Sequence, residues 1–427
     1  MSNYIPEYFL ADKPSNGDSL NDDSKFILNT PLTWELIEKN LKKSLNTSST
    51  FGQKKTAVKC GDGGGFVSSV ILLTFDWTPN SVELPEKAIL KVTTSDSVAG
   101  IRRTLKQGQD EKQLLLEKAA QIHDNEFFIY SKADQDWEFP SEIGMPKFYC
   151  GISFDKVDLK AGYFLVEYIP DVIFVQYYHN LSVSSVKKAV KMIARLTAHV
   201  ISNQRIVQEH EETTSPGAVA YLEGAYNVQT CHNNLLNMAE KFPKLKKAAD
   251  LLENLVPIAA DFEKRLKECL KYCSYPSLTH FDCHLGNFLW ILNGNELSPR
   301  AIIDWQTSHT DNPLVDLVRI TFTSLSKTDF NENIYSLIKI YYDTLKKYSI
   351  EKLPWESYDE FVRSFEHVFP LVATRMAPLF ALDQFISMIL TKVPVDEHPK
   401  AAKNIHEKME AAIEFAVKCV QKWEIRF

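Results

Sequence analysis

The apolar residues of this chain change their period once, near Val183, and that change limits the architectures open to it. Before it come β-branched and aromatic runs bounded by turn residues: Val67–Trp77, Lys87–Val92 ("KAILKV"), "MPKFYCGISF" and "GYFLVEYIPDV". Such runs read as strands. After it, Val186, Val190, Ile193 and Ala194 recur at helical spacing, and helix-prone segments follow at roughly 233–273, 333–348, 356–390 and 399–424. Two helices are expected within the strand-rich part. One starts after Thr33, a capping residue with Glu35 in the first turn, and puts Trp34, Ile37, Leu41 and Leu45 on one face. The other spans about Lys112 to Ala133. Strands segregated from helices predict an α+β chain in two lobes, with a cleft between them as the natural ligand site. The expected division is an arm at 1–30, a strand-rich lobe at 31–170 and a helical lobe at 171–427.

The helical part has one exception, Tyr275 to Gln306. Its core is "LTHFDCHLGNFLW", Leu278 to Trp290, followed by a turn, "NGNELSPR", and a second apolar run, "AIIDWQ". "FLWIL" and "RAIID" look like the two strands of a hairpin. Four readings of the polar cluster compete. His280, Asp282 and His284 alternate, so an extended strand would point all three one way, a partial zinc ligand set. No further His/Cys cluster lies nearby to complete it, and the chain after His284 turns. Cys283 as a nucleophile lacks partners converging from elsewhere, and no Gly-x-Ser-x-Gly elbow is present. A satisfied polar turn explains this stretch but not the other clusters. Phosphoryl transfer asks for a carboxylate near the acceptor hydroxyl, hard oxygen ligands for Mg²⁺, a cation on the phosphates and a backbone cradle. Asp282 and Asn287 on one loop supply part of this, and the hairpin brings Asp304 to Asn287.

Composition removes several classes. A net charge of −7 argues against general nucleic-acid binding. No run of about 18 apolar residues suggests a membrane span, and the first 25 residues lack the pattern of a signal peptide. Their Asn, Asp, Ser and Gly content reads as a loosely docked arm. Seven cysteines without paired spacing read as reduced thiols, which places the chain in the cytoplasm.

"HFDCHLGN" followed by "IIDWQ" resembles the catalytic signature of the aminoglycoside phosphotransferase and choline kinase group, relatives of the protein kinases. The likeness is greatest to its ecdysteroid-kinase-like (CHK-type) branch, particularly the nematode members. It extends in order to "GDGGGFVSSV", "AILKV", "HDNEFFIY", "GYFLVEYI" and "DNPLVDLVRI", from about 31 to 324. The resemblance implies a bilobal protein-kinase-like fold and an ATP- and Mg²⁺-dependent enzyme that phosphorylates a hydroxyl of a small molecule, a steroid-like one by analogy. It assigns Asp282 to the substrate proton, and Asn287 and Asp304 to Mg²⁺. Lys91 falls on the nucleotide phosphates with Glu126 as its helix partner, or Glu117 if the helix register differs. Gly61, Gly63, Gly64 and Gly65 would let backbone amides approach the phosphates, with Ser68 beside them. Glu167 and Tyr168 fall at the interlobe hinge that holds adenine. His280 and Asp316 are expected to support the loop structurally.

Three departures from the family pattern stand out. Phe281 stands where glycine is usual, Thr197 stands for a histidine, and Cys283-His284 is an unusual filler. Phe281 keeps a second expectation in play, a catalytically inactive kinase-like protein that binds nucleotide or a partner. A metal-dependent hydrolase is third. The oligomeric state is open.

Overall fold

Helix α1 (Trp34–Ser44) begins where the sequence predicts, with the Thr33 hydroxyl accepting the Leu36 amide at 3.1 Å. Its buried face, Ile37 and Leu41, lies on a five-stranded antiparallel sheet. The strands are β1 (Thr56–Lys59), β2 (Ser68–Thr74), β3 (Lys87–Thr94), β4 (Phe148–Asp155) and β5 (Ala161–Glu167), in the order β1-β2-β3-β5-β4. The computed structural model describes residues 25–60, 68–94, 112–213, 227–380, 382–391 and 393–425.

The two-residue period of β3 sends its side chains to opposite faces of the sheet. Ala88, Leu90 and Val92 face α1 together with Ile71, Leu73 and Leu165, and form the core of the strand-rich lobe. Lys91 therefore points through the other face, the side covered by helix α2 (Lys112–Ala133). Residues on that side, Phe164, Ile129 and Tyr130 among them, belong to the core of the helical lobe.

The run expected as a strand from Val67 to Trp77 ends at Thr74. Asp76 leaves the sheet to serve a turn: its carbonyl accepts from Gly52 at 2.6 Å and its carboxylate from Lys54 at 2.9 Å. Trp77–Thr78 then pairs separately with Thr50–Phe51. The segment 233–273 is likewise not one helix. It is broken into short ones, including Val228–Lys241, Lys246–Leu252 and Phe262–Leu270. Pro243 and Pro257 each lack the amide that a continuing helix needs, and Asp261 caps a fresh start.

In the helical lobe α3 (Val183–Ser202) is followed, after the short helices, by β6 (Ser277–Thr279), the hairpin β7 (Phe288–Asn293) and β8 (Glu296–Ile302), and β9 (His309–Asp311), which pairs with β6. Gly294, at φ +62°, makes the hairpin turn. Four long helices, α4 (Leu314–Ser324), α5 (Lys327–Tyr348), α6 (Tyr358–Phe380) and α7 (His398–Trp423), complete the lobe, with a short one at Asp383–Leu390 where the expected 356–390 helix does not run through. This is the bilobal α+β architecture expected. All seven cysteines are free thiols, and among the described residues no helix is long and apolar enough to cross a membrane.

Candidate active site

Pairing of β6 with β9, and the β7–β8 hairpin beside them, fixes two loops next to each other: His280–Asn287 and Ile303–Ser308. His280 is buried and joins them, its Nε2 lying 2.9 Å from the Ile303 carbonyl. Asp316, in the first turn of α4, accepts the His280 and Phe281 amides at 2.8 and 2.9 Å. Burial pushes its carboxyl up to about 6, against the pull of His280 and those amides. Both residues support the loop, as expected. The loop turns sharply through Phe281, whose φ of +64° is left-handed.

Beyond that turn stands Asp282, its side chain 32% exposed. Arg319 of α4 pairs with Oδ1, and the Asn287 amide donates to Oδ2 at 3.2 Å and to the Asp282 carbonyl at 2.9 Å. His284 Nε2 lies 3.6 Å from Oδ2. The Gly286 amide donates to His284 Nδ1 at 3.0 Å, so Nδ1 carries no proton and Nε2–H faces the carboxylate. Burial alone would raise the Asp282 carboxyl, but the His284 ring and the Arg319 guanidinium outweigh it and hold the group well below the usual carboxylate range. The Asn287 nitrogen is committed to Asp282, which turns its oxygen the other way.

On that other side the hairpin register sets Phe288 opposite Ile302, and the Ile303 amide donates to the Asn287 carbonyl at 2.9 Å. Asp304 comes next, also left-handed at φ +70°. The Lys91 ammonium donates at 2.6 Å to Asp304 and at 2.6 Å to Glu126. It crosses from the sheet to α2 and to the hairpin at once. Burial drives the Glu126 carboxyl up; Lys91 pulls it down and neighbouring Asp304 pushes it up again. Lys91 itself is raised: burial opposes its charge, and the two carboxylates outweigh that. Of the two glutamates weighed as its partner, Glu126 makes the pair and Glu117 is exposed. Asn125, not singled out in the sequence, donates to the Gln306 and Ser308 carbonyls at 3.1 and 2.8 Å and locks α2 onto the same loop.

The remaining expected positions lie around this centre or apart from it. The Ser68 hydroxyl lies 2.8 Å from that of Thr93, inside the sheet. Glu167 ends β5 and accepts the Lys147 amide at 3.2 Å, and the Lys87 ammonium stands 5.5 Å from the Tyr168 ring. Gly61, Gly63, Gly64 and Gly65 lie outside the described residues. Thr197 bonds Tyr341 at 2.7 Å and ties α3 to α5. The zinc reading finds no support in the geometry: His280 Nε2 is engaged by the Ile303 carbonyl and, among the described residues, no three His, Cys, Asp or Glu side chains converge on a metal position. Cys283 is buried with its thiol pushed up, the opposite of a nucleophile. Sequence reasoning missed Arg319 as well. Its signal was an arginine one turn beyond Asp316 in an otherwise apolar helix, a position that demands a partner.

A family model described as DUF1679, "Uncharacterized oxidoreductase dhs-27", matches residues 20–422, and the chain belongs to this family. No curated protein matches it. Among solved structures, choline kinase from Cryptosporidium parvum Iowa II is similar over 84% of this chain and 90% of its own, at 10% identity and a TM-score of 0.47. Plasmodium vivax ethanolamine kinase is similar over 81% and 78%, at 13% identity and a TM-score of 0.41. Macrolide 2'-phosphotransferase MphH from Brachybacterium faecium is similar over 86% and 96%, at 13% identity and a TM-score of 0.39.

Proposed function

We propose that this DUF1679 member is an ATP- and Mg²⁺-dependent phosphotransferase that moves the γ-phosphoryl group of ATP to a hydroxyl of a small molecule. One observation carries the reading: Lys91 bridging Glu126 and Asp304 beside an Asp282 that is oriented on both oxygens. Lys91 is a buried cation at the loop edge, suited to phosphate oxygens. Asn287 and Asp304 offer hard oxygens of the kind Mg²⁺ prefers, and bound there it would offset charge on the phosphates. Asp282 aligns the acceptor hydroxyl and takes its proton as the oxygen–phosphorus bond forms and the bond to ADP breaks. Residues 31–170 would then serve the nucleotide, with Gly61, Gly63, Gly64, Gly65, Ser68, Glu167 and Tyr168 assigned by the resemblance. Residues 171–427 would serve the acceptor. The ecdysteroid-kinase-like resemblance makes a hydroxylated steroid the first acceptor to test, and the free thiols suit a cytoplasmic setting.

The family's description mentions an oxidoreductase, and the described residues do not favour one. Every strand pairing is antiparallel, whereas a doubly wound dinucleotide site needs a parallel sheet with a glycine turn entering a helix. Here the glycine cluster precedes a strand. A second reading does have an observation behind it. Phe281 holds the loop in a conformation that costs a side chain energy, which fits a kinase-shaped protein binding nucleotide without turnover.

The test is transfer of label from γ-labelled ATP, with Mg²⁺, into a fractionated steroid and metabolite extract, comparing wild type with Asp282→Asn. A labelled small molecule from the wild type alone supports the phosphotransferase. Mg²⁺-ATP binding without label from either protein favours the inactive reading.

A further inference from the structure

Two of the three side chains that face Asp282, Arg319 and His284, depend on elements that meet at one buried side chain of α7. Lys408 is 1% exposed. Its ammonium donates to the Tyr177 and Thr323 carbonyls, each at 2.8 Å, and to the His179 carbonyl. All three of its hydrogens have acceptors, and none of these is a carboxylate. A buried ammonium without an opposite charge is costly, and burial drives its pKa well below the usual lysine value. Three backbone carbonyls from two separate elements converge on it, and that convergence ties the elements together.

Thr323 lies in the last turn of α4, where carbonyls lack helical partners and the dipole favours a cation. Its hydroxyl donates at 2.8 Å to the carbonyl of Arg319, one turn back, and Arg319 holds Asp282 Oδ1. On the other side, Tyr177 stacks on His284 with ring centroids 4.2 Å apart. His284 turns its Nε2–H toward Asp282 Oδ2. The Tyr177 ring also meets the Phe380 ring at 4.7 Å, and the Arg319 guanidinium lies 5.6 Å from the Phe380 ring. The Asn404 amide, one turn before Lys408, adds a 2.9 Å bond to the Tyr178 carbonyl.

We propose that Lys408 is a positioning residue of the phosphotransfer site: it clamps the Tyr177–His179 segment to the end of α4, and so sets His284 and Arg319 on the two oxygens of Asp282. The functional part rests on the phosphotransferase reading; the clamp itself does not.

The experiment tracks the imidazole nitrogen resonances of histidine-labelled full-length protein, with His284 assigned by His284→Gln. In the wild type His284 should carry its proton on Nε2. Lys408→Met should shift that signal and, with ATP affinity unchanged, lower kcat for transfer by about 10- to 100-fold, the scale of a small misplacement of reacting groups. Asn404→Ala removes one of the three bonds from α7 to the segment and should shift the signal by less; it decides the matter if Lys408→Met does not fold. Lys422→Met, which breaks an ion pair to buried Glu366 elsewhere on α7, should leave the signal in place. An unmoved His284 signal in folded Lys408→Met and Asn404→Ala overturns the clamp, as does an equal shift in Lys422→Met. Absence of any transfer by wild type would instead count against the phosphotransferase reading, while the resonance test still stands.

Discussion

The two loops of the site solve opposite charge problems. Around Lys91 one cation serves two carboxylates, Glu126 and Asp304, which leaves that side one negative charge in excess. Around Asp282 one carboxylate meets a guanidinium, which matches its charge, together with an amide and an imidazole N–H. The excess sits where the proposed Mg²⁺ would bind, and a divalent ion there would relieve Asp304 of sharing its lysine. The balanced side keeps Asp282 ionised and aimed without help from a metal. Under the proposed phosphotransferase reading, charge surplus and charge balance on adjoining loops would separate a metal-binding task from a proton-accepting one.

That separation breaks most directly at Asp282. Asp282→Asn should keep Mg²⁺-nucleotide affinity, measured by calorimetry, and lose about 10²- to 10⁴-fold in transfer, the range typical of a general base. Asp304→Ala should do the reverse first, losing Mg²⁺-nucleotide binding before chemistry is reached. If both variants lose binding alike, the two loops do not divide the work.

Removing the lysine tests the surplus itself. Lys91→Met leaves two carboxylates facing each other in a largely buried place and should cost about 3–5 kcal/mol of folding stability near neutral pH, as when a buried ion pair loses one partner. The deficit should shrink with acid. Burial and Asp304 already raise Glu126 above its unfolded value, so the folded variant takes up a proton first as pH falls, and stability is regained through that window. Denaturation at about pH 8 and about pH 5 checks the sign; a deficit that is constant or grows in acid refutes the surplus.

On the balanced side the shift runs the other way. Wild-type Asp282 is held well below the usual range, so transfer should show no acid limb from this group between about pH 5 and pH 8. Arg319→Gln removes the cation and leaves the burial that raises the carboxyl. Its pH–rate profile should acquire an acid limb, or have an existing one moved upward. An unshifted profile would mean that Arg319 does not tune Asp282.

Legibility in the sequence depends on the range of the interaction. Lys91 facing away from Leu90 and Val92 is a two-residue period, and the meeting of Asn287 with Asp304 needs only a hairpin between neighbouring runs. Both can be read locally, whereas the choice of Glu126 over Glu117 as the partner of Lys91 comes from the family resemblance, since the helix at Lys112–Ala133 leaves its own register open. Pro243 and Pro257 were visible too, yet helix-prone residues around them outweigh two breakers when segments are read whole. The Arg319–Asp282 and Lys408–Tyr177 contacts are different in kind. Each joins elements whose meeting depends on how α4 and α7 pack, and no local period encodes that.

The smallest effect concerns the residue that turns each loop. Asp304 and Phe281 are both left-handed, at φ +70° and +64°. Aspartate tolerates that region through its short polar side chain; phenylalanine does not. Phe281 is held there by its ring, which meets His309 at 4.3 Å and the guanidiniums of Arg265 and Arg375 at 5.1 and 5.2 Å. Its amide, given to Asp316, fixes the backbone from below. Phe281→Ala and Phe281→Gly delete the same ring contacts, so both should be destabilised, but only alanine keeps a Cβ at positive φ. Glycine should therefore be the more stable of the two by about 1 kcal/mol, the left-handed cost less glycine's extra chain entropy. At an ordinary right-handed position the order would be reversed. Equal or greater stability of Phe281→Ala in chemical denaturation would mean that the loop turns elsewhere, and that the orientation of Asp282 does not depend on strain at Phe281.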